Sequence, residues 1–368
     1  MDPLLAGAGR PVLLRRGNPG AGSGPEKIPG GGPGLMAASH RERIERVLAG
    51  ERPDRLPYAF WRHFYDQESS AQDLARAMVA WYREYDFDFL KVNPRAQYHV
   101  EPWGARFEYP GGPHDRPRQV TFPVRTPEDL AAIRPVPPDS GALGEQLEAL
   151  RLIRRELGPD VPMVATIFNP LSIAADLVGS DATLVRWLRE YPAAVEAGLE
   201  TITRTFIPFA QACLEAGADG IFFATTTLAT RNTLTEEEYR RFGRPYDLRV
   251  LGAVSSAWFN ILHVCQENSM LYLLADYPVP AVNWAATSST NPSLGEARAR
   301  LGGKVLIGGV SHRALTAPDP EAALSEARRA VEETGGIRFI LGPDCSIPTT
   351  SRPENLRAVA DFARNYRW

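Results

Sequence analysis

The sequence predicts an α/β protein of the (β/α)8 barrel (TIM barrel) class, with an excursion inserted after the second strand. Three observations lead there. From residue 55 onward, short β-branched, aliphatic and aromatic runs alternate with helix-like stretches, the pattern of a parallel sheet joined by right-handed crossovers. Eight such runs are legible, the number that closes into a barrel. No Gly-x-Gly-x-x-Gly follows the first run, as a doubly wound dinucleotide-binding sheet would require.

The strand-like runs cover 56–61, 87–92, 162–168, 220–225, 259–264, 279–284, 305–310 and 338–341. Most are near-continuous apolar segments, as expected where helices cover both faces of a sheet. Helical patterns occupy 181–190, 235–248, 293–301 and 320–333, and an amphipathic helix is expected just after Met36. The stretch 93–161 is longer than an ordinary crossover. Within it, WGARFEYPGGPHDRPRQVTFPV (103–124) alternates and turns like a β-hairpin. Long excursions at such a place cover or rim active sites.

The first 35 residues hold 10 of the 31 glycines and 6 of the 32 prolines. They cannot bury enough surface to offset their ordering entropy, so 1–35 is predicted to be a disordered extension. The barrel domain then spans 36–368, and Met36 reads as an alternative start. Hydrophobic residues at 44% and charged residues at 23% of 368 suffice for one sizeable core. A net charge of −3 points to neither a nucleic-acid partner nor an anionic membrane surface. No apolar run approaches the ~20 residues of a membrane span, and no secretory signal opens the chain. Three cysteines are too few for a disulfide framework. They suit a reducing, cytoplasmic setting, where paired cysteines hold metals or do chemistry.

Catalytic groups in barrels stand at the C-terminal strand ends. Here those ends carry Arg62 and His63, then Asn93 and Arg95, Asn169, His263 and Cys265, Trp284, His312, and finally Asp344 and Cys345. His263 and Cys265 are an i, i+2 pair, so their side chains share one face of a strand. With Cys345 they make one imidazole and two thiolates, a set that suits Zn²⁺ and leaves a position for substrate. The same residues also read as a satisfied core histidine and two small buried apolar side chains. Arg62 and Arg95 have the fork geometry to clamp a carboxylate or sulfonate, or are structural. His63, with an ordinary pKa near neutrality, is a candidate acid–base group. Cys213, inside the helix-like FAQACLEAGAD, reads as packing.

From about residue 40 to the C-terminus the chain resembles the uroporphyrinogen decarboxylases and their relatives, the zinc-dependent corrinoid methyltransferases acting on coenzyme M and similar thiols. The resemblance is carried by VNW (282–284), EARARLGGKVLIGGVSHRAL (296–315), FILGPDCSIPTTSRPENLRAV (339–359) and AGADGIFFATTTLATRNTLTEEEYRRFGRPY (216–246). It implies a barrel with a cleft at its mouth. The methyltransferase branch implies His-x-Cys and a distant Cys in a Gly-x-x-Cys-x-Ile-Pro setting, matched by His263, Cys265 and Cys345. It also implies Zn²⁺, a small thiol or anionic substrate, and a methyl-corrinoid carried by a partner protein. The decarboxylase pattern fits less well. An arginine-rich segment is replaced by Phe60-Trp61-Arg62-His63, a catalytic aspartate by Asn93, and Gly-His-Gly by Gly342-Pro343-Asp344. Three functions are therefore weighed: methyl transfer to a thiol, a uroporphyrinogen decarboxylase-type lyase, and a non-catalytic metal- or thiol-binding barrel. The site residues expected for catalysis are His63, Arg62, Asn93 and Arg95.

Overall fold

The computed structural model describes residues 38–368. The extension expected at 1–35 and the start at Met36 lie outside the described residues. Seven strands form a single curled parallel sheet: β1 (Leu90–Val92), β4 (Met163–Phe168), β5 (Gly220–Thr225), β6 (Ile261–Val264), β7 (Ala281–Trp284), β8 (Val305–Val310) and β9 (Phe339–Pro343). Each pairs with the next along the chain, in parallel. An antiparallel pair, β2 (Arg106–Glu108) and β3 (Arg118–Thr121), lies between β1 and β4. It occupies the stretch where the sequence turns like a hairpin. Its connecting loop reaches the loop after β9 through His114 Nδ1 and Thr349 Oγ1, 3.0 Å apart.

The strand expected at 56–61 is not formed as a regular strand; Tyr58 makes only an isolated parallel bridge to Leu341. The segment still ties the two edges of the sheet together. Leu341 N donates to Pro57 O (2.9 Å), Ala59 N to Leu341 O (3.0 Å), and Asp88 N to Tyr58 O (2.9 Å). The regular ladder stops where other partners take the backbone groups, Trp61 O accepting from Ile347 N in the loop after β9 (2.9 Å) and side chains taking two more. Tyr58 N donates to the Asp88 carboxylate, and Phe60 O accepts from the Trp81 indole. A satisfied backbone group gains nothing from a strand partner.

Burial follows the reading of the apolar runs: β5, β6, β7 and β8 are buried at every position. The helix expected over 235–248 is divided into Glu236–Phe242 and Arg244–Ala253. Pro245 explains the break, since it lacks an N–H and disfavours helical geometry at the residue before it. At the N-terminal end of the sheet, fully buried Asp88 accepts from Arg43 (2.6 Å) and Arg55 (2.8 Å) and lies 3.2 Å from His40 Nδ1. This cluster closes the face opposite the strand ends that carry the candidate site.

Candidate metal centre

β6 presents His263 inward, and the chain leaves the strand at Cys265, on the same face. Register then sets the histidine's environment, because His263 on β6 pairs directly with Asn283 on β7. His263 Nδ1 lies 2.6 Å from Asn283 Oδ1. The orientation of that amide is settled by its nitrogen, which donates to both Ile307 O and Pro343 O at 2.9 Å. Asn283 Oδ1 is therefore the acceptor, Nδ1 carries the proton, and Nε2 is left with a free lone pair. Phe222, on neighbouring β5, stacks against the imidazole with ring centroids 5.3 Å apart.

Cys345 arrives from the loop after β9, 80 positions from Cys265 in the chain. Its sulfur lies 3.8 Å from Cys265 Sγ and 3.4 Å from His263 Nε2, the nitrogen with the lone pair. All three donor atoms fall within 4.8 Å of one another. Tetrahedral zinc with bonds of ~2.3 Å to sulfur and ~2.0–2.1 Å to nitrogen requires separations of about 3.8 Å (S to S) and about 3.6 Å (S to N). The Cys265–Cys345 and His263–Cys345 spacings match these values, and the His263–Cys265 pair lies within 4.8 Å. The hydrogen bond from Cys265 holds the Cys345 thiol well below its ordinary range, with His312 assisting against the opposing effect of burial. Cys265 is pushed up by the same contact and by burial.

The other expected residues divide. Asn93 is buried close to this centre: its amide nitrogen lies 3.4 Å from Ser346 Oγ, next to Cys345, and its oxygen accepts from Lys91 Nζ at 2.7 Å. His63 Nδ1 lies 3.2 Å from the fully buried Glu68 carboxylate, and its ring stacks on Tyr65. Arg62 is occupied elsewhere, donating to His63 O with its guanidinium over the Phe64 and Trp81 rings. Arg95 is held by Glu101 (2.9 and 3.0 Å) and Glu145 (2.6 Å). Arg95 is thus engaged by two carboxylates, whereas Arg62 makes one hydrogen bond, through Nε, and pairs with no carboxylate among the described residues. Cys213 is buried on the helix Pro192–Glu215, away from the cluster, and burial pushes its thiol up.

Three neighbours of the centre escaped the sequence reading. Asn283 lies within the VNW motif, but its link to His263 required the pairing register of β6 and β7. Glu68 is one carboxylate among many in a helix-rich sequence. Lys91 shares a strand face with Asn93, an i, i+2 signal that was available, yet a strand lysine ordinarily points to solvent.

A profile of the family described as Uroporphyrinogen decarboxylase (URO-D) matches residues 39–366. The chain belongs to the uroporphyrinogen decarboxylase family. Within that family it is similar to proteins with two different names. It is 29% identical over 226 residues to the methylcobamide:CoM methyltransferase MtaA of Methanosarcina barkeri, covering 60% of this chain and 63% of that one. It is 28% identical over 354 residues to a uroporphyrinogen decarboxylase of Anaeromyxobacter dehalogenans, covering 91% and 99%. Among solved structures, a methyltransferase from Methanosarcina mazei superposes with a TM-score of 0.76 at 24% identity, covering 89% of this chain and 98% of the other. That likeness shows a shared fold. No helix among the described residues is long and apolar enough to cross a membrane.

Proposed function

We propose that the protein is a zinc-dependent methyltransferase that methylates a small thiol, with the methyl group delivered by a methyl-corrinoid on a partner protein. The observation that carries this reading is the convergence of His263 Nε2, Cys265 Sγ and Cys345 Sγ, two of the three separations at zinc-ligand values, with Asn283 holding the histidine in the ligating tautomer. The similarity to the Methanosarcina methyltransferase supports it. His263, Cys265 and Cys345 would hold the ion, leaving a position for the substrate sulfur. Zinc bound there supplies Lewis acidity that lets a thiol lose its proton near neutral pH.

The chain's own residues do the rest. Asn283 fixes the imidazole, a support without which metal affinity ordinarily falls 10- to 100-fold. Phe222 and Trp61, 5.3 Å apart and both buried, wall the interior below the histidine and exclude water from that side. His63, backed by Glu68, is the acid–base group of the mouth, and Asn93 positions the Cys345 loop through Ser346. Arg62 and Arg95 brace the neighbouring loops. In the reaction the cobalt–carbon bond breaks with both electrons remaining on cobalt. The sulfur–carbon bond forms, and the thiol proton passes to solvent.

Elemental analysis of protein purified without added metal, followed by incubation with methylcobalamin and a thiol, tests this directly. About one zinc per chain and appearance of the methyl thioether are expected; protein devoid of zinc and unable to bind it overturns the reading. The similarity to a uroporphyrinogen decarboxylase favours a carboxy-lyase as the second reading. Against it, Asn93 offers a neutral amide already bonded to Lys91. Turnover of uroporphyrinogen at roughly 1 per second, typical of enzymes, would reverse the order. Zinc binding with no turnover of either kind would leave a non-catalytic metal-binding barrel.

A further inference from the structure

Lys91 on β1 is almost entirely buried. Its Nζ has a single hydrogen-bond partner, Asn93 Oδ1 at 2.7 Å, and sits 4.7 Å from the centroid of the Phe222 ring. An ammonium has three protons to place, and burying one without a counter-charge is costly. No carboxylate pairs with it among the described residues. Burial pushes the amine down to about 7 as the site stands. Every contact of Lys91 nevertheless leads to the centre. Phe222 stacks on His263, and Asn93 reaches Ser346 beside Cys345.

The charges of the ligand set explain such a lysine. A divalent ion with two thiolates and a neutral imidazole is neutral overall. Adding a substrate thiolate makes the centre singly negative inside a low-dielectric interior, where an unbalanced charge is expensive. From the placement of this lone buried cation we infer that Lys91 is a positioning residue whose ammonium balances the negative charge brought in by the substrate thiolate. Its contacts with Asn93 and Phe222 place it one side chain away from the centre: Asn93 reaches Ser346 beside Cys345, and Phe222 stacks on His263. The inference rests on the proposed metal centre and concerns the selection of an anionic sulfur, whatever else the substrate carries.

The test uses the full chain loaded with Co²⁺, whose visible absorption reports metal binding and ligand entry separately. Lys91→Met keeps the length and apolar stem of the side chain and removes the charge; Lys91→Arg keeps the charge. The probes are 2-mercaptoethanol, which is uncharged apart from its sulfur, mercaptoacetate, which adds a carboxylate, and imidazole, a neutral ligand. Lys91→Met should bind Co²⁺ and imidazole as the parent does. It should lose on the order of tenfold or more in affinity for both thiols at pH 7, with thiol binding shifted to higher pH, and Lys91→Arg should recover most of the loss. A purely structural role would not move thiol affinity while sparing imidazole. Equal thiol affinity in parent and Lys91→Met overturns the inference, as does a loss confined to mercaptoacetate, which would mean that Lys91 binds the acid tail. Should Lys91→Met fail to fold, Lys91→Gln, which removes the charge and keeps a hydrogen-bond donor, takes its place: the same loss for both thiols with imidazole spared is expected, and parent-like thiol affinity overturns the inference. Failure of the parent to bind Co²⁺ would instead count against the metal centre.

Discussion

Asn283 shows how much of the centre depends on a residue that touches no metal. Its oxygen holds the Nδ1 proton of His263, and its nitrogen is tied to the backbones of β8 and β9. Asn283→Ala removes the acceptor, so the imidazole can rotate or change tautomer. We expect zinc affinity, measured by competition with a chelator, to fall 10- to 100-fold. The ligands themselves should behave more sharply. Cys265→Ala and Cys345→Ala should each take zinc from about one per chain to near none by elemental analysis. Cys213→Ala should leave the metal content intact, because Cys213 is buried on an outer helix. Equal losses in all three variants would mean that the cysteines share a packing role and no ion. The sequence made the three ligands legible, but not the residue that supports them. The i, i+2 spacing placed His263 and Cys265 on one face, whereas Asn283 is polar, unexceptional and twenty positions away.

At the scale of elements, the site depends on how closely neighbouring strands approach. Gly220 opens β5, and a Cβ there would lie 2.2 Å from Phe259 O and 2.4 Å from the Phe259 carbonyl carbon. Backbone cannot yield as a flexible side chain can, so Gly220→Ala should force the segment before β6 away from β5. A loss of about 2 kcal/mol or more is expected, read as a lower midpoint in thermal unfolding. Since β6 carries His263, zinc occupancy should fall with it; an unchanged midpoint and unchanged occupancy would contradict the close approach. Strand and helix elements were largely legible because apolar runs and helical periodicity are local properties. The segment 56–61 was not, since Asp88 and Trp81 side chains capture backbone groups that its sequence alone would assign to a ladder. The division at Gly243 was available from Pro245.

The whole molecule is stapled at its N-terminal end by charges drawn from three separate stretches of chain. Burial alone would lower the pKa of His40, but the Asp86 and Asp88 carboxylates outweigh it and raise the pKa from 6.5 to about 9. The protonated imidazole therefore favours the folded state. Its contribution is fully present below pH 6.5 and is lost as pH rises through about 9, amounting to at most ~3 kcal/mol. Thermal midpoints should decline between pH 6.5 and 9.5 in the parent and decline less in His40→Gln. Parallel curves for the two proteins would remove His40 from the pH dependence. Asp88→Asn should be far more damaging, because it leaves Arg55 buried without its counter-charge and Arg43 with Asp54 alone.

The sequence by itself determined the alternation of strands and helices, the face shared by His263 and Cys265, and the family. Each of these is written in periodicity or in short motifs, and none needs distant contacts to be read. Tertiary structure decided what lies far apart in the chain. It brought Cys345 to 3.8 Å from Cys265 across 80 positions and chose which imidazole nitrogen is free. It engaged Arg62 and Arg95 with aromatic rings and carboxylates, and it buried Lys91 beside the centre. Periodicity specifies which way a side chain faces, but only sheet register and the closure of the sheet through residues 57–59 specify what it faces.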